Sequence, residues 1–355
     1  MTYIKAPKRK PIHLGCIEIN ENDPPLVIAE IGINHGGSLD VAKAMVDAAH
    51  AAGARCIKHQ THIVEDEMSH AARKVIPGNA KISIYDIMSL CALSRDDEYE
   101  LMQYVQSKDM VFLSTPFSRA AADRLQEFDV VGFKIGSGEC NNYPLLRHIA
   151  CFGKPMIVST GMNDMDSVRK TAGILDKAGV EYAFLHTTNL YPTDPSLVRL
   201  GAMQELATEF PETLFGLSDH TLNNNACLAA TAIGASILER HFTDSKNRKG
   251  PDIICSMDGT ELSALIKGSA EISLMRGGSK TLLAEEQVTR DFAYATVVTI
   301  APVHKGEIFT SENIWVKRPG TGEIKAVHFE DLLGCVAARD IESDQHLSWN
   351  DVVLQ

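Results

Sequence analysis

Gly216-Leu217-Ser218-Asp219-His220-Thr221 and Leu238-Glu239-Arg240-His241-Phe242-Thr243 decide how this chain is read. Each closes a short apolar run, Thr213 to Leu217 and Ala235 to Leu238, with polar residues that include a histidine. One strand-plus-helix unit separates the two histidines. If both runs are parallel strands, His220 and His241 emerge side by side at one end of the sheet. Two neutral imidazoles placed that way suit a borderline divalent metal such as Mn, Co, Zn or Fe. The bland alternative is two unrelated loop histidines in a chain that has 13.

Upstream, the same strand-then-helix pattern repeats. The predicted strands are Leu26 to Ile31, Cys56 to Gln60, Met110 to Thr115, Val130 to Ile135, Pro155 to Thr160 and Tyr182 to His186. The two runs quoted above are the seventh and eighth. Ser38 is placed to cap a helix running to Ala52 and ending at Gly53. Helices are also expected over 96–107, 120–127, 143–151 and 165–178, the last with Met165, Val168, Ala172 and Leu175 on one stripe and Gly179 as its stop. Eight buried strands, each followed by a helical segment, over about 250 residues predict a (β/α)8 TIM barrel of the α/β class. An open doubly wound sheet fits less well, because no glycine-rich dinucleotide loop follows the first strand.

Residues 1–24 are polar and proline-bearing and read as a short arm or hairpin. A longer insertion, Glu65 to Leu90, contains a Pro77-Gly78-Asn79 turn. Helix 259–275 closes the barrel, and Gly277-Gly278-Ser279-Lys280 breaks it. From Phe292 onward short alternating runs predict a small β-rich domain. The expected division is 1–281 for the barrel, 282–291 for a linker and 292–355 for the small domain.

Composition narrows the function classes. An apolar content of 45% and a charged content of 23% describe an ordinary globular chain. No apolar run approaches the roughly 20 residues needed to cross a bilayer, and no secretion signal is visible. The eight cysteines form no CxxC and fit reduced, mostly buried thiols in a cytoplasmic protein. A net charge of −12 argues against a general nucleic-acid binder. It leaves room for one small anionic substrate held by a local cationic cluster.

Barrel chemistry gathers at the C-terminal strand ends. There the sequence places Glu30, Lys58, Gln60, Thr115, Lys134, Ser137, Glu139, Ser159, Asn189, Tyr191, Ser218, His220, Glu239 and His241. Lys58 and Lys134 enter from apolar strands, which is costly unless each ammonium finds a partner. The hydroxyls of Thr115, Ser137, Ser159 and Ser218 can donate to phosphate oxygens. Gly136-Ser137-Gly138 lets backbone N–H groups approach an anion. Glu30 and Glu139 would face the same pocket as bases, sugar ligands or partners of the lysines. His59, His62 and His186 are read as structural.

At these motifs the chain closely resembles the bacterial sialic acid synthases. The matching stretches include Ala29-Glu30-Ile-Gly-Ile-Asn34-His35, Lys58-His-Gln60-Thr-His62, Phe133-Lys134-Ile-Gly-Ser137-Gly-Glu139, Gly216-Leu-Ser218-Asp-His220-Thr, Leu238-Glu-Arg-His241-Phe-Thr and Val316-Lys-Arg318-Pro-Gly. The resemblance implies condensation of phosphoenolpyruvate with N-acetylmannosamine, C–O cleavage and release of phosphate. It implies Mn2+, with Mg2+ or Co2+ as alternatives, on His220 and His241. Lys58, Thr115, Lys134, Ser137, Ser159 and Ser218 would hold phosphoenolpyruvate. Gln60, Glu139, Asn189, Tyr191, Asp252, Phe292 and Arg318 would line the sugar site, with Glu30 beside the reacting atoms. The small domain would be an antifreeze-like SAF domain exchanged within a domain-swapped homodimer. Legionaminic and pseudaminic acid synthases, which share the chemistry, are the nearest alternative. A sugar-phosphate binding protein and a hydrolytic metal-dependent barrel are more distant ones. One departure is Asp194, where the family has proline.

Overall fold

A computed structural model describes residues 8–77 and 81–353. Gly78 and Asn79 of the expected turn lie outside the described residues. The chain divides into two compact units, Met1–Arg276 and Gly277–Gln355.

The first unit is a closed barrel of eight parallel strands. They are β1 (Leu26–Gly32), β2 (Cys56–Thr61), β3 (Val111–Pro116), β4 (Phe133–Ile135), β5 (Met156–Ser159), β6 (Tyr182–Thr187), β7 (Leu214–Asp219) and β8 (Ile237–His241). Each pairs with its sequence neighbours, and β8 closes onto β1 with His241 opposite Glu30. The expected strand order is met; β5 is one residue shorter at each end than expected, and β4 is the larger shortening. β4 begins at Phe133 rather than Val130, because Asp129 takes a left-handed backbone (φ 56°) that turns the chain before the strand.

Helix boundaries follow local chemistry. The Ser38 hydroxyl accepts from the Val41 N–H and starts the helix Leu39–Ala51. Asp164 starts Met165–Ala178, and Gly179, at φ 70°, ends it. Its buried stripe is Val168, Thr171, Ala172 and Leu175, close to the expected one. The insertion after β2 carries a short helix Val64–Glu67, a 3-10 turn His70–Lys74 and a helix Ile84–Cys91.

Alternation along the strands splits the barrel interior into two halves. At the N-terminal ends, Leu26, Ile28, Cys56, Val111, Leu113, Ile157, Ala183, Leu185, Leu214 and Ile237 form an apolar layer. The hairpin Ile12–Leu14 and Ile17–Ile19 lays Ile12, Leu14, Ile17 and Ile19 against that layer and plugs it. The next polar inward positions are Glu30, Lys58, Thr115, Ser159, Thr187 and Glu239, two residues beyond the apolar layer, and Ser218, four beyond Leu214 with Gly216 between.

The second unit has its own small core of Val297, Val303, Phe309, Ile314, Ile324, Leu332, Ala337, Ile341 and Leu347. Two antiparallel pairs frame it, Thr296–Thr299 with Ile314–Lys317 and Val336–Ala337 with Val352–Val353. Residues 282–291 hold a 3-10 turn, Ala284–Glu286, and most of a helix, Gln287–Ala293. Among the described residues no helix is long and apolar enough to cross a membrane.

Candidate active site

A cavity of about 180 Å³ opens at the C-terminal rim. Its lining includes Lys58, Gln60, Thr115, Lys134, Ser137, Glu139, Ser159, Asn189, Tyr191, Ser218, His220 and His241, all expected from the sequence. Glu30 reaches the same cluster through Lys58 and Gln60, and Asp252 reaches it through His241. Phe292 and Arg318 belong to the second unit, where both are exposed.

Two buried ammonium groups sit at the centre. Lys58 Nζ lies 2.5 Å from Glu30 Oε2 and donates to Thr115 Oγ1 at 3.3 Å. Lys134 Nζ donates to Ser159 Oγ at 2.6 Å and to the Ile135 carbonyl at 3.1 Å. Between them stands Glu239, whose Oε1 is 3.6 Å from Lys58 and 3.7 Å from Lys134 and accepts from Ser218 at 3.2 Å. Burial opposes the Lys58 charge, but Glu239 and Glu30 outweigh it and hold its pKa above the ordinary lysine value. Lys134 has less compensation, and burial lowers its pKa to about 8. Burial likewise raises Glu30 to about 7, against the pull of Lys58. It also raises Glu139 to about 7. Glu239 itself stays below the usual carboxylate range; burial pushes it up, and Lys134 and Lys58 more than reverse that.

Glu239 is the group that the sequence reading left without a role. It was visible two residues before His241, inside an apolar run where an unpaired carboxylate would be costly. The structure makes it the shared counter-ion of both lysines. A substrate anion entering here would meet donors already aimed inward and partly satisfied by carboxylates.

The histidine corner lies on the adjoining strands. The His220 and His241 rings are 5.4 Å apart by centroid, and Tyr191 packs on His220 at 4.1 Å. His220 Nδ1 is 2.8 Å from the Thr188 carbonyl, so it carries the proton and leaves Nε2 as an acceptor. Burial lowers His220 to about 4 and His241 to about 3, so both rings are neutral near pH 7. His241 Nδ1 is buried without a hydrogen-bond partner, and Asp252 Oδ2 stands 3.8 Å away. Two neutral imidazoles with a free acceptor and a nearby carboxylate form a donor set that fits a divalent cation. Among the described residues no group of three or more His, Cys, Asp or Glu is arranged to hold a metal by itself. A cation here would complete its shell with substrate or water.

The sugar-side candidates line the remaining wall. Gln60 Nε2 donates to Glu30 Oε1 at 2.7 Å. Asn189 Nδ2 lies 3.4 Å from Tyr191 Oη, while Asn189 Oδ1 and Glu139 Oε2 are buried with no partner. Such groups are costly unless a ligand or water completes them. A Cβ at Gly161 would fall 1.8 Å from Asn189 Oδ1, so any side chain there would displace the Asn189 amide from the wall. Asp194 accepts from the backbone N–H and hydroxyl of Ser196 and so caps the 3-10 turn Pro195–Leu197. Asp194 is thus an exposed cap on the solvent side of the loop. The histidines read as structural have local partners: His59 faces Glu98 at 3.3 Å, His62 faces Glu67 at 2.8 Å, and His186 Nε2 is 2.7 Å from the Val198 carbonyl.

Fold and site together define an α/β barrel whose rim sets two buried lysines beside a neutral histidine pair. Residues 45–281 match the NeuB family and residues 294–353 match the SAF domain, so the chain belongs to the NeuB sialic-acid-synthase family. That family acts on small-molecule sugars and phosphoenolpyruvate. The N,N'-diacetyllegionaminic acid synthase of Campylobacter jejuni is 35% identical, covering 90% of this chain and 98% of its own. The human N-acetylneuraminate-9-phosphate synthase is 33% identical over 89% of this chain and 88% of its own. The crystal structure of a sialic acid synthetase from Leptospira borgpetersenii, in complex with citrate, aligns with a TM-score of 0.73 at 29% identity. It covers 79% of this chain and 95% of its own.

Proposed function

We propose that this enzyme condenses phosphoenolpyruvate with N-acetylmannosamine and water to give N-acetylneuraminate and phosphate. The observation that carries the reading is the buried pair Lys58 and Lys134, each on a hydroxyl and both on Glu239, beside the neutral histidine pair. Lys58, Lys134, Thr115, Ser137, Ser159 and Ser218 hold the phosphate and carboxylate of phosphoenolpyruvate. Gln60, Glu139, Asn189, Tyr191 and Asp252 hold the sugar. His220 and His241 would hold a divalent cation, Mn2+ first and Mg2+ or Co2+ as alternatives, which when bound supplies Lewis-acid polarisation of the acceptor aldehyde.

C3 of phosphoenolpyruvate attacks the aldehyde carbon, and positive charge develops at C2. The Glu30 carboxylate favours that charge electrostatically. Water adds to C2 as one of its protons passes to the former aldehyde oxygen; the C2 hydroxyl then gives its proton to the departing phosphate as the tetrahedral centre collapses to the ketone by C–O cleavage. The lysines and hydroxyls stabilise the departing phosphate. Because two substrates must be held at once, much of the rate comes from positioning.

The 35% identity to a legionaminic acid synthase favours a second reading, the same chemistry on a 6-deoxy di-N-acetyl hexose. Phosphate release measured with each acceptor, with and without chelator, separates the two. Faster release with N-acetylmannosamine supports the first reading; the reverse order overturns it. Phe292 and Arg318 enter this proposal as residues supplied by a second chain of a swapped homodimer. Mixing inactive Arg318→Ala chains with inactive His241→Ala chains should then restore part of the activity. No recovery in mixed dimers removes the swap.

A further inference from the structure

One buried cation behind the rim joins every segment that carries the histidine corner. Arg240 lies between Glu239 and His241 in β8, and Asp219 lies between Ser218 and His220 in β7; the two are register partners. Side chains alternate along a strand, so Glu239 and His241 face the barrel interior while Arg240 and Asp219 face outward. Their side chains are 1% and 2% exposed, with Arg240 Nε 3.2 Å from Asp219 Oδ2. Arg240 Nη1 donates to Asn224 Oδ1 at 2.6 Å. Its Nη2 donates to the carbonyls of Thr221 at 2.6 Å and Cys255 at 3.4 Å. Asp219 is itself held by the Thr221 N–H at 3.0 Å and hydroxyl at 2.8 Å.

That guanidinium therefore ties the end of β7, the loop after it, and the 3-10 turn Ile253–Cys255 that follows Asp252. Those segments and β8 present His220, Asp252 and His241 to the rim. None of its hydrogen bonds goes to Lys58, Lys134 or the hydroxyls beside them. A well-packed apolar pair could replace a buried ion pair at little cost to stability, so stability alone does not require it. What an apolar pair cannot do is fix these three segments through three directed hydrogen bonds and an ion pair.

We propose that Arg240, locked by Asp219, is the positioning residue that sets the spacing of the His220–His241 pair and of Asp252 for a bound divalent cation. The proposal rests on reading that pair as the cation site. Lysine cannot replace the planar fork; it would leave the Asn224, Thr221 and Cys255 oxygens largely unpaired. Groups that orient metal ligands typically govern affinity by about 10–100-fold, and Arg240 would act through the backbone segments that carry the ligands rather than on the ligands themselves.

The test uses the full chain stripped with chelator. Free Mn2+ is followed by electron paramagnetic resonance during titration, and phosphoenolpyruvate binding is followed by calorimetry in the same samples. Arg240→Lys should weaken Mn2+ about 10–100-fold and leave phosphoenolpyruvate binding within about twofold. Mn2+ affinity equal to wild type overturns the proposal. So does an equal loss of both ligands, which marks a general structural defect. Should Arg240→Lys fail to fold, Asp219→Asn is judged by the same two titrations. His241→Ala separates the layers. If it loses Mn2+ while Arg240→Lys keeps it, only the positioning role fails. If His241→Ala binds Mn2+ as wild type does, the cation reading falls and takes the proposal with it.

Discussion

The two ends of the barrel interior are made from the same strands and do opposite things. At the N-terminal end the inward residues are Ile28, Leu113, Ile157, Leu185, Leu214 and their neighbours, closed by the hairpin. Two positions further along, four of the same strands present Glu30, Thr115, Ser159 and Thr187, and β7 presents Ser218 four beyond Leu214. Burying each large apolar side chain contributes about 1.5–3 kcal/mol. Burying Lys58, Lys134, Glu30 and Glu239 together costs desolvation that their mutual contacts only partly offset. The apolar end holds the barrel, and the polar end uses that stability to keep charges in place.

The largest expected effect breaks the polar end alone. Lys134→Ala should lower the rate of phosphate release by about 100-fold or more, because it removes a buried donor aimed at the substrate anion. Circular dichroism should show the barrel intact. A variant retaining wild-type turnover would remove Lys134 from the site. The reciprocal break is Leu14→Ala in the hairpin plug. Denaturant unfolding should show a loss of about 2–5 kcal/mol, while KM for phosphoenolpyruvate stays unchanged. A raised KM would mean that the two ends are coupled.

Proton linkage sharpens the contrast further. Lys134, lowered by burial to about 8, loses its charge in the free enzyme above that pH. The kcat/KM for phosphoenolpyruvate should therefore fall as pH rises through about 8. Glu139 acts on stability. Its folded pKa is raised by burial from 4.5 to about 7, so the folded state holds a proton that the unfolded chain has lost. Its contribution to stability consequently declines as pH rises from 4.5 to about 7. Glu139→Gln should flatten that segment of the stability profile, and an unchanged slope would contradict the burial argument. The smallest effect is expected at Asp194→Ala, which removes an exposed cap and should leave acceptor KM within about twofold.

Much of this was legible in the sequence because alternation was strong. Most barrel strands start apolar and turn polar near their ends, so the eight runs, their order and most of the rim could be read directly. The hydroxyls and lysines stood out because they interrupt apolar strands. Glu239 was harder, since its role depends on two lysines from β2 and β4 that only barrel closure brings to it. Arg240 was hidden for a related reason. It faces away from the cavity, and its partners come from loops that no strand pattern predicts. The start of β4 was misjudged because the left-handed turn at Asp129 leaves no mark in an apolar count.

The proposed reaction, joining phosphoenolpyruvate to an acceptor aldehyde at the rim with C–O cleavage, can be followed with phosphoenolpyruvate labelled with heavy oxygen at the bridging C–O–P position. The labelled substrate is incubated with the full chain, Mn2+ and N-acetylmannosamine or the 6-deoxy di-N-acetyl hexose, and phosphorus NMR reads the released phosphate. The released phosphate is expected to carry the label and to appear only when an acceptor is present. Unlabelled phosphate, release without acceptor, or no release with either sugar would contradict it.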